Sequence, residues 1–237
     1  MKTSCAVWSP IGSGKSFRAI LSLRETVVLA SVAENAIRKD IEDKILWPVR
    51  CEHNDSKPSF RWVDVFLLAA VYGSHHLSKK MRKIALDSLE NCVAPSYRRS
   101  AVCLPQMDYD CEIWEKPSDL ITDCHAMTLG GYVYLDFGRV RDDLTPRVDL
   151  YARGLSKTDE RPGTFGGEAV FKNTRLPVRH IGKMASSGEA LVSILEDYPY
   201  LSEDDVTFAK LYAEAHPNIG RPPLRQGETS GGKIPSG

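Results

Sequence analysis

Between residues 166 and 216 three runs of helical periodicity each end on a residue that stops a helix, and this constrains the chain more than any other feature. Gly166 and Gly167 open the stretch as a turn, Ala169, Val170 and Phe171 suit a short strand, and Asn173 marks a tight bend, because Asn tolerates positive φ better than other side chains with a Cβ. Val178, Ile181 and Met184 then recur at helical spacing up to Gly188, a C-cap. Leu191, Ile194 and Leu195 carry a second helix that must stop before Pro199, since the residue preceding a proline is driven out of the helical region. Ser202, three residues ahead of Asp205, reads as a capping box opening a third helix through Val206, Ala209, Leu211 and Ala213 to Pro217. Three short helices joined by brief turns predict a small bundle, with a helix-turn-helix-like step between the last two.

A second helical unit is predicted upstream. Leu23, Val27, Leu29 and Ala30 mark one helix, and Ile37, Ile41, Ile45 and Leu46 another after a short break, which is helix-turn-helix spacing. On the second helix the isoleucines take one side and Asn35, Arg38, Lys39 and Glu42 the other. A buried side opposite Arg, Lys and Asn is what a major-groove helix requires; the alternative is a solvated amphipathic helix. Trp47 and Pro48 end that helix, and VRCEHNDSKPSFRW reads as two extended pieces around a polar turn, a wing on which Arg50, Lys57 and Arg61 would meet phosphates. An apolar helix follows through Leu67, Leu68, Val71 and Tyr72. A further helix spans residues 78–90, basic at its start through Lys79, Lys80, Arg82 and Lys83.

The middle is less regular. Low periodicity over residues 92–121 leaves one expected strand near residues 101–104, and Gly130-Gly131 is the two-residue turn signal of a hairpin whose second strand buries Val133, Leu135 and Phe137. A helix is expected from about Leu144 to Arg153. After Pro217 the Gly-, Pro- and Ser-rich tail is expected to be disordered on its own.

Net charge is zero, yet Lys plus Arg against Asp plus Glu runs 14 to 10 over residues 1–90 and 4 to 10 over residues 101–150. A polyanion partner is therefore expected for the first part alone. The six cysteines never occur as CxxC, so reduced thiols without a metal are expected. The segment SPIGSGKS ends like a phosphate-binding loop in Gly12, Gly14, Lys15 and Ser16, but Ser9 stands where the first glycine belongs and no apolar strand ending in Asp follows. Together with the absence of a nucleophile and base constellation, this predicts a non-enzyme with no cofactor. No apolar run approaches a membrane span, which makes a cytoplasmic location the expectation.

Two stretches resemble known families. GGEAVFKNTRLPV, followed by EDYPYLSEDDVTFAKLYA, resembles the small trihelical domain of unknown function in bacterial VapB-like antitoxins, which are coupled to PIN-type ribonuclease toxins. It departs at Asn173, where the family usually has Gly, and Asn is the mildest replacement for a left-handed glycine. SLRETVVLASVAENAIRKDIEDKILWPVR through FRWVDVFLLAAV resembles the winged helix-turn-helix of MerR-like regulators. It departs at Lys44, where that family tends to place glycine; a left-handed Lys44 would cost about 1 kcal/mol.

The resulting expectation is an α+β, mainly helical chain: a flexible lead (residues 1–20), a winged helix-turn-helix (21–92), a β-hairpin-containing middle region (93–160), a trihelical, homeodomain-like bundle (161–217) and the tail (218–237). The resemblance implies an antitoxin that neutralises a PIN-type ribonuclease toxin and represses its own operon by binding double-stranded promoter DNA. Symmetric half-sites favour a homodimer. It also makes Arg175, Arg221 and Arg225 candidates for the toxin contact, although Thr174, Arg175 and Tyr198 serve equally well as residues that hold the turns of a bundle. The rival is a stand-alone DNA-binding regulator with no toxin.

Overall fold

Ser22 and Arg61 each end a three-residue strand and start a helix, and the two strands pair with one another. In this computed structural model, which describes residues 20–48, 57–73, 77–94, 116–121, 126–129, 131, 133–159 and 168–217, β1 (Ile20–Ser22) lies antiparallel to β2 (Ser59–Arg61) with Leu21 opposite Phe60. The helix α1 (Leu23–Ala30) begins with a complete capping box: the Ser22 hydroxyl accepts from the Glu25 N–H, and the Glu25 carboxylate accepts from the Ser22 N–H at 2.8 Å. It ends at Ser31, which is left-handed at φ 54°. The next helix, α2 (Glu34–Glu42), runs into Lys44, also left-handed at φ 58°. From β2 the chain passes into α3 (Trp62–Tyr72), in which every residue except Ala69 is buried. A helix apolar on all sides must sit at the centre of its neighbours, and α3 packs on α1, α4 (Lys79–Leu89) and α5 (Phe137–Ser156).

The hairpin expected around Gly130-Gly131 is present as β3 (Met127–Leu129) against β4 (Val133–Leu135), with Gly131 at φ 81°. Leu129 faces Val133, so three residues lie between the paired strands. The helix that follows departs from expectation. It is α5, Phe137–Ser156, and starts well before Leu144 because the Asp136 carboxylate accepts from the Arg139 N–H at 3.0 Å and caps a first turn that reads as strand by alternation. Pro146 lies inside it, where no N–H is available for the turn below.

In the last unit β5 (Thr158–Asp159) pairs with β6 (Val170–Phe171), followed by α6 (Val178–Ser186), α7 (Leu191–Asp197) and α8 (Glu203–Ala215). Asn173 takes φ 61° and Gly188 φ 92°, and Ser202 with Asp205 makes the capping box of α8. The three helices expected over residues 178–215 thus occur in order.

The described residues are mainly helical, with small antiparallel two-stranded sheets, and one hydrophobic core runs through them from α1 and α3 across α5 to α6 and α8. Tyr151 of α5 is its midpoint, its ring 6.3 Å from Trp62 of α3 and 5.4 Å from Phe208 of α8. Gly154 allows that approach, because a Cβ there would stand 2.1 Å from the Phe208 ring. Among the described residues no helix is long and apolar enough to cross a membrane. The strand expected near residues 101–104, the His75-His76 loop, the Gly12–Ser16 motif and the first half of the expected wing lie outside the described residues.

Candidate nucleic-acid interface

The face of α2 is divided as its sequence predicts. Ile37 is fully buried and Ile41 partly so, while Asn35, Arg38, Lys39 and Glu42 are exposed. Arg38 is 55% exposed and donates from Nε and Nη2 to Glu34 Oε1 at 2.8 and 2.6 Å, one turn back on the same helix. A pair of this kind contributes only about 0.2–0.5 kcal/mol, so the guanidinium can exchange Glu34 for a phosphate or a base edge at little cost.

What holds α2 in place is a buried carboxylate. Asp40 lies on the apolar side of the helix, and its carboxylate accepts from the Tyr72 hydroxyl at 2.8 Å and from Arg82 Nε and Nη2 at 2.6 and 2.9 Å. Its backbone carbonyl accepts the N–H groups of Ile45 and Leu46, closing the turn through Lys44. The Arg82 guanidinium also sits 5.5 Å above the Tyr72 ring. Lys79 bridges to Asp43 at 2.5 Å, so α4 is fastened to α2 at two points. Arg82 is therefore committed to Asp40, whereas Lys79, Lys80 and Lys83 remain exposed.

Burial alone would push the Asp40 carboxyl up, but the hydrogen bonds from Arg82 and Tyr72 outweigh it and hold the group below its ordinary value of 3.8. A folded pKa below the unfolded one contributes stability that is present above the unfolded value and is lost as pH falls through the folded value. Asp40→Asn is therefore expected to lower stability at neutral pH and to flatten the loss of stability below about pH 4, read from urea unfolding at a series of pH values.

Arg61 does not reach a phosphate. Its side chain is fully buried, donating to Asp64 Oδ1 at 2.7 Å and to the Glu90 carboxylate at 2.8 and 2.9 Å. Burial would depress its pKa, but Asp64 and Glu90 raise it above the ordinary arginine value. The expected phosphate contact is corrected to a structural ion pair joining α3 to the turn after α4. Lys57 is exposed just ahead of β2, and Arg175 is exposed on the turn ahead of α6. Arg50, Arg221 and Arg225 lie outside the described residues.

A second buried carboxylate links the N-terminal helices to the C-terminal unit. Glu25 is fully buried; its Oε2 caps α1, and its Oε1 accepts from the Tyr151 hydroxyl at 3.1 Å and stands 3.2 Å from His216 Nε2. His216 closes α8 and stacks on Tyr212 with centroids 4.2 Å apart. From α5, Arg147 donates to the Ser31 hydroxyl at the end of α1. The angle between the α1–α2 pair and α8 is therefore fixed by polar contacts as well as by the core. Among the described residues no three His, Cys, Asp or Glu side chains gather closely enough to hold a metal ion.

Residues 159–213 match the family described as "Protein of unknown function (DUF433)". The match covers the end of β5, then β6, α6, α7 and most of α8. The chain is also similar to the "Uncharacterized protein y4eO" of Sinorhizobium fredii (strain NBRC 101917 / NGR234), with 32% identity over 75 residues, 32% of this chain and 34% of the relative. The chain thus spans about a third of the length of that relative. No solved structure matches the chain.

Proposed function

We propose that this chain binds double-stranded DNA through α2 and acts as the antitoxin of a type II toxin–antitoxin pair, neutralising a PIN-type ribonuclease and repressing its own operon as a homodimer. The observation that carries the DNA reading is the exposed set Asn35, Arg38, Lys39 and Glu42 on a helix whose other side is anchored through Ile37 and Asp40. A side chain reads base edges only when the helix beneath it is held rigidly, and the Asp40–Arg82–Tyr72 cluster supplies that rigidity. The order strand, two helices, strand, helix from β1 to α3 favours a winged helix-turn-helix, with Lys57 on its approach to β2. The helices α6, α7 and α8 suit a trihelical, homeodomain-like bundle. The toxin partner rests on the resemblance of the DUF433 segment to the corresponding part of VapB-like antitoxins.

A salt-dependent gel shift on the promoter upstream of the gene tests the DNA reading. The Arg38→Ala, Lys39→Ala double variant is expected to lose about tenfold or more in affinity and to reduce the salt slope by roughly two, since each lost phosphate contact removes about 0.9. Wild-type affinity in that variant would sink the proposal. For the toxin, co-expression with the product of the adjacent reading frame should yield a co-purifying complex. A chain that shifts the promoter but captures no such partner would be a stand-alone regulator.

A further inference from the structure

Within the DUF433 segment the turn leading into α6 and the turn leaving α7 line one cleft of about 470 Å³, a size that suits a small organic ligand. Its chemistry is divided. Leu176 and Pro177 supply an apolar floor, and Tyr198 supplies a ring. His180 meets that ring edge-on, with centroids 6.4 Å apart and Nε2 3.4 Å from the Tyr198 hydroxyl. Facing them are Arg179 and Lys183, one helical turn apart on α6. Like charges at this spacing repel and destabilise a helix. Glu168 lies 3.1 Å from Arg179, and no other carboxylate lines the cleft; the exposed Lys183 charge stays oriented toward it.

The aromatic surface continues outward. Tyr200 meets the Tyr198 ring edge-on, 6.3 Å away at 88°, and is 57% exposed. Tyr200 also lines a second cleft of about 480 Å³, together with Lys157, Lys172, Thr174 and Asp205. Lys157 is paired with Asp205 at 2.7 Å, and Lys172 is exposed. Exposed rings with cations beside them offer stacking faces next to phosphate contacts. An acidic peptide would use the cations but leave the ring series and the apolar floor without a role.

We propose that this cleft binds a nucleotide, with the base against Tyr198 and the Leu176–Pro177 floor and the phosphate on Lys183 and Arg179. Tyr200 and Lys172 continue the site along a single strand. The site is separate from α2 and does not depend on the DNA reading above.

The full chain is titrated with adenosine and uridine 5′-monophosphates, with a short fluorescent single-stranded RNA of mixed sequence, and with polyglutamate as an acidic-peptide control. The single strand is expected to bind in a salt-dependent manner. Lys183→Glu, a change at an exposed position, and Tyr198→Ala are each expected to weaken binding about tenfold or more, a loss of one stacking or charge contact. The Arg38→Ala, Lys39→Ala variant should bind the strand like wild type, so failure of the α2 reading and failure of this one are told apart. Binding of the monophosphates as tight as that of the strand assigns the cleft to a free nucleotide; tighter binding of the strand assigns it to RNA. Absence of binding to both, equal competition by polyglutamate, or wild-type binding in Lys183→Glu would overturn the proposal. If Tyr198→Ala fails to fold, Lys183→Glu decides alone.

Discussion

Replacing Arg61 by leucine is expected to cost about 3–5 kcal/mol, because the guanidinium bridges the buried Asp64 carboxylate and the partly buried Glu90 carboxylate, and removing one member of a buried pair leaves the other charge desolvated. The loss should appear in urea unfolding as a lower midpoint with an unchanged slope. The companion variant is the informative one. Arg61→Leu combined with Asp64→Asn and Glu90→Gln removes both carboxylate charges along with the guanidinium, and should recover a large part of the loss, since buried ion pairs gain little over uncharged groups of similar volume. Recovery is incomplete because the Asp64 carboxylate also accepts the Arg61 N–H at 2.8 Å and so caps α3. An Arg61 that touched DNA would behave differently: the single variant would weaken DNA binding while leaving the unfolding midpoint in place.

Why the sequence misplaces Arg61 is itself physical. Alternation along a strand separates two faces but does not say which of them turns inward when the flanking segments are polar. One of its partners lies 29 residues away, beyond any local pattern. The Glu25–His216 contact joins residues 191 positions apart and is equally invisible until the fold brings α8 back to α1. Local rules fare better where the cause is local. Lys44 and Asn173 take positive φ because each sits in a turn that sets its backbone geometry. Ser202 and Asp205 satisfy each other's backbone within three residues, so their capping box is readable in the sequence. The exposed side of α2 follows from periodicity, and its buried side carries a further signal. Asp40 falls on the same side as Ile37 and Ile41, and a buried ionisable residue on an apolar stripe demands a cationic partner, which Arg82 provides. The early start of α5 was hidden because Val133, Leu135 and Phe137 keep the period of a strand through a residue that is already helical.

Gly182→Ala offers a case in which helix propensity and packing point in opposite directions. In an open helix the change would stabilise by about 1 kcal/mol, since glycine is the poorer helix former. Here the added Cβ would stand 2.1 Å from the Ala209 carbonyl oxygen and 2.6 Å from the Ala213 Cβ, so it meets the backbone of α8 rather than a movable side-chain end. The two helices must separate, and Ile181 and Ala209, both fully buried beside the crossing, lose contact with it. Overpacking of this kind costs about 1–3 kcal/mol and more where backbone must shift, so a net loss of about 2 kcal/mol is expected. In a chain of this size that lowers Tm by about 4–8 °C in a thermal melt. Gly188→Ala separates crowding from conformation: a Cβ there has open space around it, but φ is 92°, so its cost is the conformational one alone, about 1 kcal/mol. A larger loss at Gly182 than at Gly188 would locate the constraint on this segment in the close crossing of α6 and α8. Arg179 and Lys183, which line the cleft beside Tyr198, stand on the same helix, so Gly182→Ala should weaken any ligand held in that cleft in parallel with the loss of stability.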